Sequence, residues 1–270
     1  MLIFGTVGIF RRNIALPSAF IAFFRGTVGC LTILPFAGRR ILKCVDIPRL
    51  LISGALIGLN WILLFEAYNY TSVSVATLCY YMQPTFLVLM TSLMKKQKLS
   101  ILNICCTAVS FAGMVLVSGV LESAQDVSLR GILCGLGAAV LYTAVVMINM
   151  STRENNGFSK TTIQMGSAAL VLLPYLLFTG SFTGLSFEGN SLVLLVIMGL
   201  LHTGLAYALY FASIPGLKTQ TVAFLSYIDP VTALVLSALI LHEKMSISGA
   251  LGALFVLGSA LVSTVKNEEV

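Results

Sequence analysis

Two stretches decide the reading: YYMQPTFLVLMTSLMKKQKLS at residues 80–100 and SYIDPVTALVLSALILHEKMS at residues 226–246. Tyr81, Pro84, Leu93, Lys98 and Ser100 recur as Tyr227, Pro230, Leu239, Lys244 and Ser246. The offset is constant, since 230 − 84 = 146 and 246 − 100 = 146. The copies keep a proline and a length but differ at their ends. Lys95, Lys96 and Lys98 in the first correspond to Leu241, His242 and Lys244 in the second. A duplicated segment that keeps its kink and changes its charge needs a physical reason.

Composition narrows the choice. The 270 residues are 58% hydrophobic and only 10% charged, against about a quarter charged for a soluble domain. Mean hydropathy is +0.98. Residues 99–121, 131–152, 161–187 and 189–217 contain no Asp, Glu, Lys or Arg. Each is long enough for a membrane helix, which needs about 20 apolar residues, whereas buried helices of soluble proteins show runs of about 10–14. The expectation is an all-α polytopic membrane protein. Ten spans are expected, near 1–10, 18–37, 48–69, 73–94, 100–121, 130–150, 161–180, 190–211, 219–241 and 246–265. The first is short for a bilayer and lacks the basic start and cleavage site of a signal peptide. It reads as a span truncated by a missing upstream portion or a late start, a nine-span chain being the alternative.

Charge then orients the spans. With the N-terminus inside, the inner loops hold Arg39, Arg40, Lys43, Arg49, Lys95, Lys96, Lys98, Arg153, Lys160, Lys218 and Lys266. The outer loops hold Arg11, Arg12, Arg130 and Lys244, which is eleven against four with Arg25 left inside a span. Basic loops face the cytoplasm. A repeat of five helices, an odd number, re-enters the membrane upside down, so its lysine-rich loop becomes an outer loop. That explains the changed charge and predicts a 5+5 inverted-topology repeat, residues 1–121 and 130–265, as in many secondary transporters. Gly58, Trp61 and Phe65 extend it, matching Gly204, Tyr207 and Phe211 at the same offset.

At these residues the sequence resembles the EamA-type permeases of the drug/metabolite transporter superfamily. The string SYIDPVTALVLSALILHEKMSISGALGALFVLGSALV carries most of the likeness, with NYTSVSVATLCYYMQPTFLVLM, FIAFFRGTVG and FGTVGIFRR in the first half. Arg25 falls where an arginine is common in that family's second span. Gln97 departs from the pattern, standing where many relatives have an acid matching Glu243. The resemblance implies ten helices, both termini cytoplasmic, and movement of small metabolites through a central cavity.

Candidate residues follow from position. Asp229 lies near the middle of span nine, just before Pro230, where a carboxylate costs about 2.5–3.5 kcal/mol and must face protein or water. It reads either as a substrate or proton site or as a carboxylate bonded to neighbouring helices. Gln83 is its mate. Pro84 and Pro230 each remove a helical hydrogen bond, freeing the carbonyls of Tyr80 and Ser226. Paired interruptions in two halves point to a transport site, though they also serve packing. Trp61 and Tyr207 at equivalent positions could flank a substrate, with hydroxyls from Tyr80, Tyr81, Tyr142 and Tyr227. Glu66 near the outer end of span three is a candidate for proton coupling or an interfacial carboxylate. His202 in span eight suits proton sensing or simple hydrogen bonding. Gly54/Gly58 and Gly131/Gly135 read as close helix packing.

Other classes fit poorly. Serine-protease chemistry needs a histidine near a nucleophile, and only His202 and His242 exist. No His/Glu spacing suits a metal, and the six cysteines form no Cys-x-x-Cys pair. The expectation is no enzyme, no cofactor, no metal and no nucleic-acid partner. A secondary transporter of a small metabolite, such as an amino acid or related compound, fits best. It would sit in the cell membrane as a monomer or homodimer, possible proton coupling included. A non-transporting scaffold or receptor, or a degenerate fragment, is the alternative.

Overall fold

A computed structural model describes residues 2–94, 101–117, 128–154, 156–180, 182, 185, 187, 189–214, 229, 232, 236, 239–240, 242 and 246–266. Among these the chain is helical, without strands. The helices are α1 (Leu2–Gly5), α2 (Val7–Arg12), α3 (Ser18–Ala37), α4 (Ile47–Tyr70), α5 (Val73–Tyr80), α6 (Gln83–Met94) and α7 (Ile101–Val117). They continue as α8 (Leu129–Ser151), α9 (Gly157–Phe178), α10 (Ser191–Ser213) and α11 (Ile247–Lys266). Five of them, α3, α4, α8, α9 and α10, have 20 to 24 residues and are apolar enough to cross a membrane. At about 1.5 Å per residue such lengths match the hydrocarbon core. Leu31, Leu133, Leu170, Leu177, Phe178 and Leu209 point outward, more than half exposed. Water would penalise that surface and lipid accepts it.

Local chemistry sets several boundaries. The Ser128 hydroxyl accepts from the Gly131 N–H at 3.1 Å and starts α8. The Asn156 side chain accepts from the Ser159 N–H at 3.1 Å and starts α9 four residues before the expected 161. The earlier start draws Lys160 out of the loop, where the sequence reading put it, and buries it completely. Arg11, also expected in a loop, lies in the last turn of α2 and is buried. It donates to the Ile14 carbonyl (2.9 Å), Ser18 Oγ (3.3 Å) and Asn69 Oδ1 (2.7 Å), tying α2 to the ends of α3 and α4. Lys95, Lys96, Lys98, Lys244, Glu243, Tyr227 and Pro230 lie outside the described residues.

Helices α3, α4, α9 and α10 form the centre, with α8 against α4, α5 and α6. Small residues let them close. A Cβ on Gly54 would collide with the Gln164 carbonyl and lie 2.7 Å from Ser167 Cβ, and one on Gly135 would lie 2.7 Å from Cys79 Cβ. Helices α7 and α11 pair to one side. Ser110 Oγ is 2.7 Å from Ser259 Oγ, and a Cβ on Gly113 would stand 2.6 Å from the Gly252 carbonyl and 3.0 Å from Val256 Cγ2. Moving forward along α7 therefore means moving backward along α11. The two run antiparallel.

Candidate functional site

The site begins at the break between α5 and α6. Pro84 has no N–H to offer the Tyr80 carbonyl four residues earlier. The backbone closes α5 with Tyr81 N–H to the Thr77 carbonyl (2.9 Å) and Met82 N–H to the Cys79 carbonyl (3.2 Å). It restarts α6 with Phe86 N–H to the Met82 carbonyl at 2.9 Å. Two tyrosines sit at this break. The rings of Tyr80 and Tyr81 are 5.5 Å apart, and Tyr142 of α8 lies 5.6 Å from Tyr80.

These three tyrosines line a cavity of about 50 Å³ with Trp61, Tyr207 and Asp229. That is room for a few water molecules. Phe4, Gly5, Val7 and Gly8 of α1 and α2 close another side. The close approach requires Gly5, because a Cβ there would stand 2.8 Å from the Asp229 carbonyl and 2.7 Å from Thr232 Cβ. Asp229 is nearly buried and is the hydrogen-bond partner of Tyr81. The Trp61 indole N–H donates to Tyr207 Oη at 3.2 Å, the rings 5.9 Å apart and edge-on. These two residues differ in number by 146, the offset of the repeat.

Arg25 enters the same cavity from α3. Loop counting leaves it aside as a charge within a span. Yet an ionisable group inside a membrane helix is a functional signal by default, and that signal was available. Only 2% exposed, Arg25 donates from Nε to Thr203 Oγ1 at 2.9 Å. Its guanidinium carbon lies 4.6 Å from the centre of Trp61 and 5.3 Å from that of Phe65. Thr203 is positioned by a stretch of π-helix, Met198–Leu205, in the middle of α10. Its hydroxyl donates back to the Met198 carbonyl at 3.0 Å, so the oxygen is turned toward Arg25. No local sequence pattern announces a π-helix, so Thr203 was not legible.

The remaining candidates lie elsewhere. Gln83 is buried, and its carbonyl accepts from the Thr143 hydroxyl at 3.2 Å, but it is not part of the cavity lining. His202, on the same π-helix, meets Thr6 Oγ1 through Nε2 at 2.6 Å and packs edge-on against Phe10 at 4.8 Å. The Thr6 hydroxyl also lies 2.8 Å from the Ile3 carbonyl. The histidine thus joins α1 and α2 to α10 behind the cavity. Glu66 is half-buried near the end of α4 and accepts from Asn69 Nδ2 at 3.4 Å, away from the cavity.

Comparison with known proteins supplies the family. The EamA-like transporter family matches residues 1–119 and 129–265. The uncharacterized transporter YxxF of Bacillus subtilis is 27% identical over 99% of this chain and 88% of its own length. An uncharacterized transporter of Archaeoglobus fulgidus is 23% identical over 96% of this chain and 91% of its own. One crystal structure superposes with a TM-score of 0.70 at 17% identity, covering 99% of this chain and 95% of that one, which shows a shared fold. With its bilayer-length apolar helices, the chain is a multi-pass membrane protein and a transporter, not an enzyme: it belongs to the EamA-like transporter family.

Proposed function

We propose that the protein is a secondary transporter of a small metabolite, such as an amino acid or related compound. It works by alternating access of two inverted halves, residues 1–121 and 130–265, about the cavity of Trp61, Tyr207 and Asp229. The cell membrane is its site, and the basic residues, still ten to three once Lys160 and Arg11 are taken out of the loops, argue for cytoplasmic termini and ten spans.

The observation that carries the reading is the contact between Trp61 and Tyr207. A residue touching its own repeat mate lies on a two-fold axis relating the halves. The pair α7 and α11 supports the same axis. Ser110 meets Ser259 and Gly113 faces Val256, and 110 + 146 = 256 while 113 + 146 = 259, so each contact is the image of the other. Repeat mates that pack antiparallel are what an inverted repeat produces. A cavity on that axis is shared by both halves, so rocking one half against the other would open it to either side in turn. Asp229 is then the carboxylate available for cargo or a proton.

The test is flux in reconstituted vesicles with a panel of amino acids and related metabolites, with and without a proton gradient. Asp229→Asn should abolish or uncouple flux, whereas Glu66→Gln should act weakly. No flux across the whole panel would sink the transport reading. Unchanged rates and pH dependence in both variants would leave transport standing and remove proton coupling through these carboxylates.

A further inference from the structure

We infer that the cavity recognises its cargo through a carboxylate group, with the Arg25 guanidinium as counter-ion. This rests on the transport reading above and names the substrate class of the same site. Arg25 is a buried cation without a carboxylate within ion-pair distance among the described residues, where the ion pair found is Arg49 with Asp46. Its Nε–H has an acceptor in Thr203. The Trp61 and Phe65 rings lie against its guanidinium and favour a cation through the ring quadrupole. Among the described residues, the hydrogen bond of this side chain is the one from Nε, and the side chain lines the cavity. A guanidinium edge is a fork of parallel N–H donors that matches a carboxylate with two hydrogen bonds.

The surroundings select among anions. One cation among the described lining residues, in a cavity that also holds Asp229, suits a single negative charge and disfavours a phosphate dianion. Asp229 does not neutralise Arg25. The two are not an ion pair, and the aspartate is engaged by Tyr81. Opposite charges held apart in an aromatic box fit a molecule with separated charges of its own, so a zwitterionic amino acid meets both. The aromatic rings of Trp61, Tyr80, Tyr142 and Tyr207 are left to contact its apolar body.

Counterflow in vesicles tests this by pairing each amino acid that the protein moves with its carboxamide, in which the anionic group is lost and the shape kept. The wild type should favour the acid by about thirtyfold or more, because removing one partner of a buried charge pair is strongly penalised. Arg25→Gln should lower acid flux far more than amide flux and so lose the preference, and Arg25→Lys should restore part of it. Equal rates for acid and amide in the wild type would overturn the inference while transport survived. So would Arg25→Gln lowering both compounds equally, which is the result of a purely structural arginine. If acid flux required chloride and stopped in gluconate, the guanidinium would belong to the inorganic ion, also overturning it. Where Arg25→Gln fails to fold, the wild-type acid and amide pair still decides. Absence of flux for every compound removes the transport reading and this inference together.

Discussion

Arg25 on α3 and Lys160 on α9 are both buried cations in membrane-length helices, yet their surroundings differ. Lys160 is enclosed by protein. Its Nζ donates to the Asn149 carbonyl at 3.4 Å, beside a network in which Gln164 Nε2 reaches Ser53 Oγ (2.8 Å) and Asn149 Oδ1 (3.1 Å). Glu154 and Asp46 lie near enough to act on its charge. Arg25 has one hydroxyl, two ring faces and a cavity. A charge answered by the protein itself is scaffold. A charge answered only in part, and placed beside a void, is a place for something else.

The comparison breaks first at the rigid end. Gly54 brings α4 onto the backbone of α9 beside the Lys160 network. Gly54→Leu should cost about 3 kcal/mol or more and abolish monodisperse protein, because the obstructing Gln164 carbonyl is backbone and cannot rotate away. Gly258→Leu is the control, since a Cβ there meets nothing within 4 Å. Melting temperatures in detergent measure both. Equal losses would show that α4 and α9 are not locked at this point.

At the cavity end the effect is smaller and functional. Tyr207→Phe removes the acceptor of the Trp61 indole N–H, and a buried donor left without a partner costs about 1–3 kcal/mol. Flux should fall with stability, because Trp61 also supplies the ring face beneath Arg25. A variant as stable and as active as the wild type would mean that the axis contact carries no weight. Lys160→Met sharpens the contrast. Removing this cation leaves the Asn149 carbonyl without its Nζ donor, a loss of about 1–3 kcal/mol in stability. The variant's acid-over-amide preference should stay at the wild-type value. If that preference vanished, the roles assigned to the two cations would be reversed.

Much of this was legible because membranes make simple demands. Apolar runs between charges located α3 to within its bounds and α4, α8, α10 and α11 to within two residues. Pro84 announced the break between α5 and α6. Trp61 and Tyr207 could be paired by arithmetic alone. What could not be read depends on where helices meet. Arg11 and Lys160 read as loop charges in the sequence, which does not say that Asn156 caps a helix early or that Asn69 accepts from Arg11. The π-helix that turns Thr203 to Arg25 and His202 to Thr6 has no local signature in the sequence. Arg25 was visible and was undervalued because loop counting treats an intramembrane charge as an exception.

The smallest expected effect lies at the solvent end of the Lys160 region. Asp46 precedes α4 and accepts from the Arg153 backbone N–H at 2.6 Å and from the Thr152 hydroxyl at 3.0 Å. These bonds favour the ionised form, so its carboxyl is held below the usual aspartate range. A lowered value in the folded state means that the stabilisation is fully present above the ordinary pKa of about 3.9. It is lost as pH falls through the folded value. The stability gap between wild type and Asp46→Asn should therefore be constant from about pH 8 to about pH 5 and close in stronger acid. Throughout that range the acid-over-amide preference of the cavity should not move. A gap that widened toward low pH would mean that Asp46 is protonated in the fold, and that the polar end of the molecule is not the fixed scaffold against which Arg25 stands out.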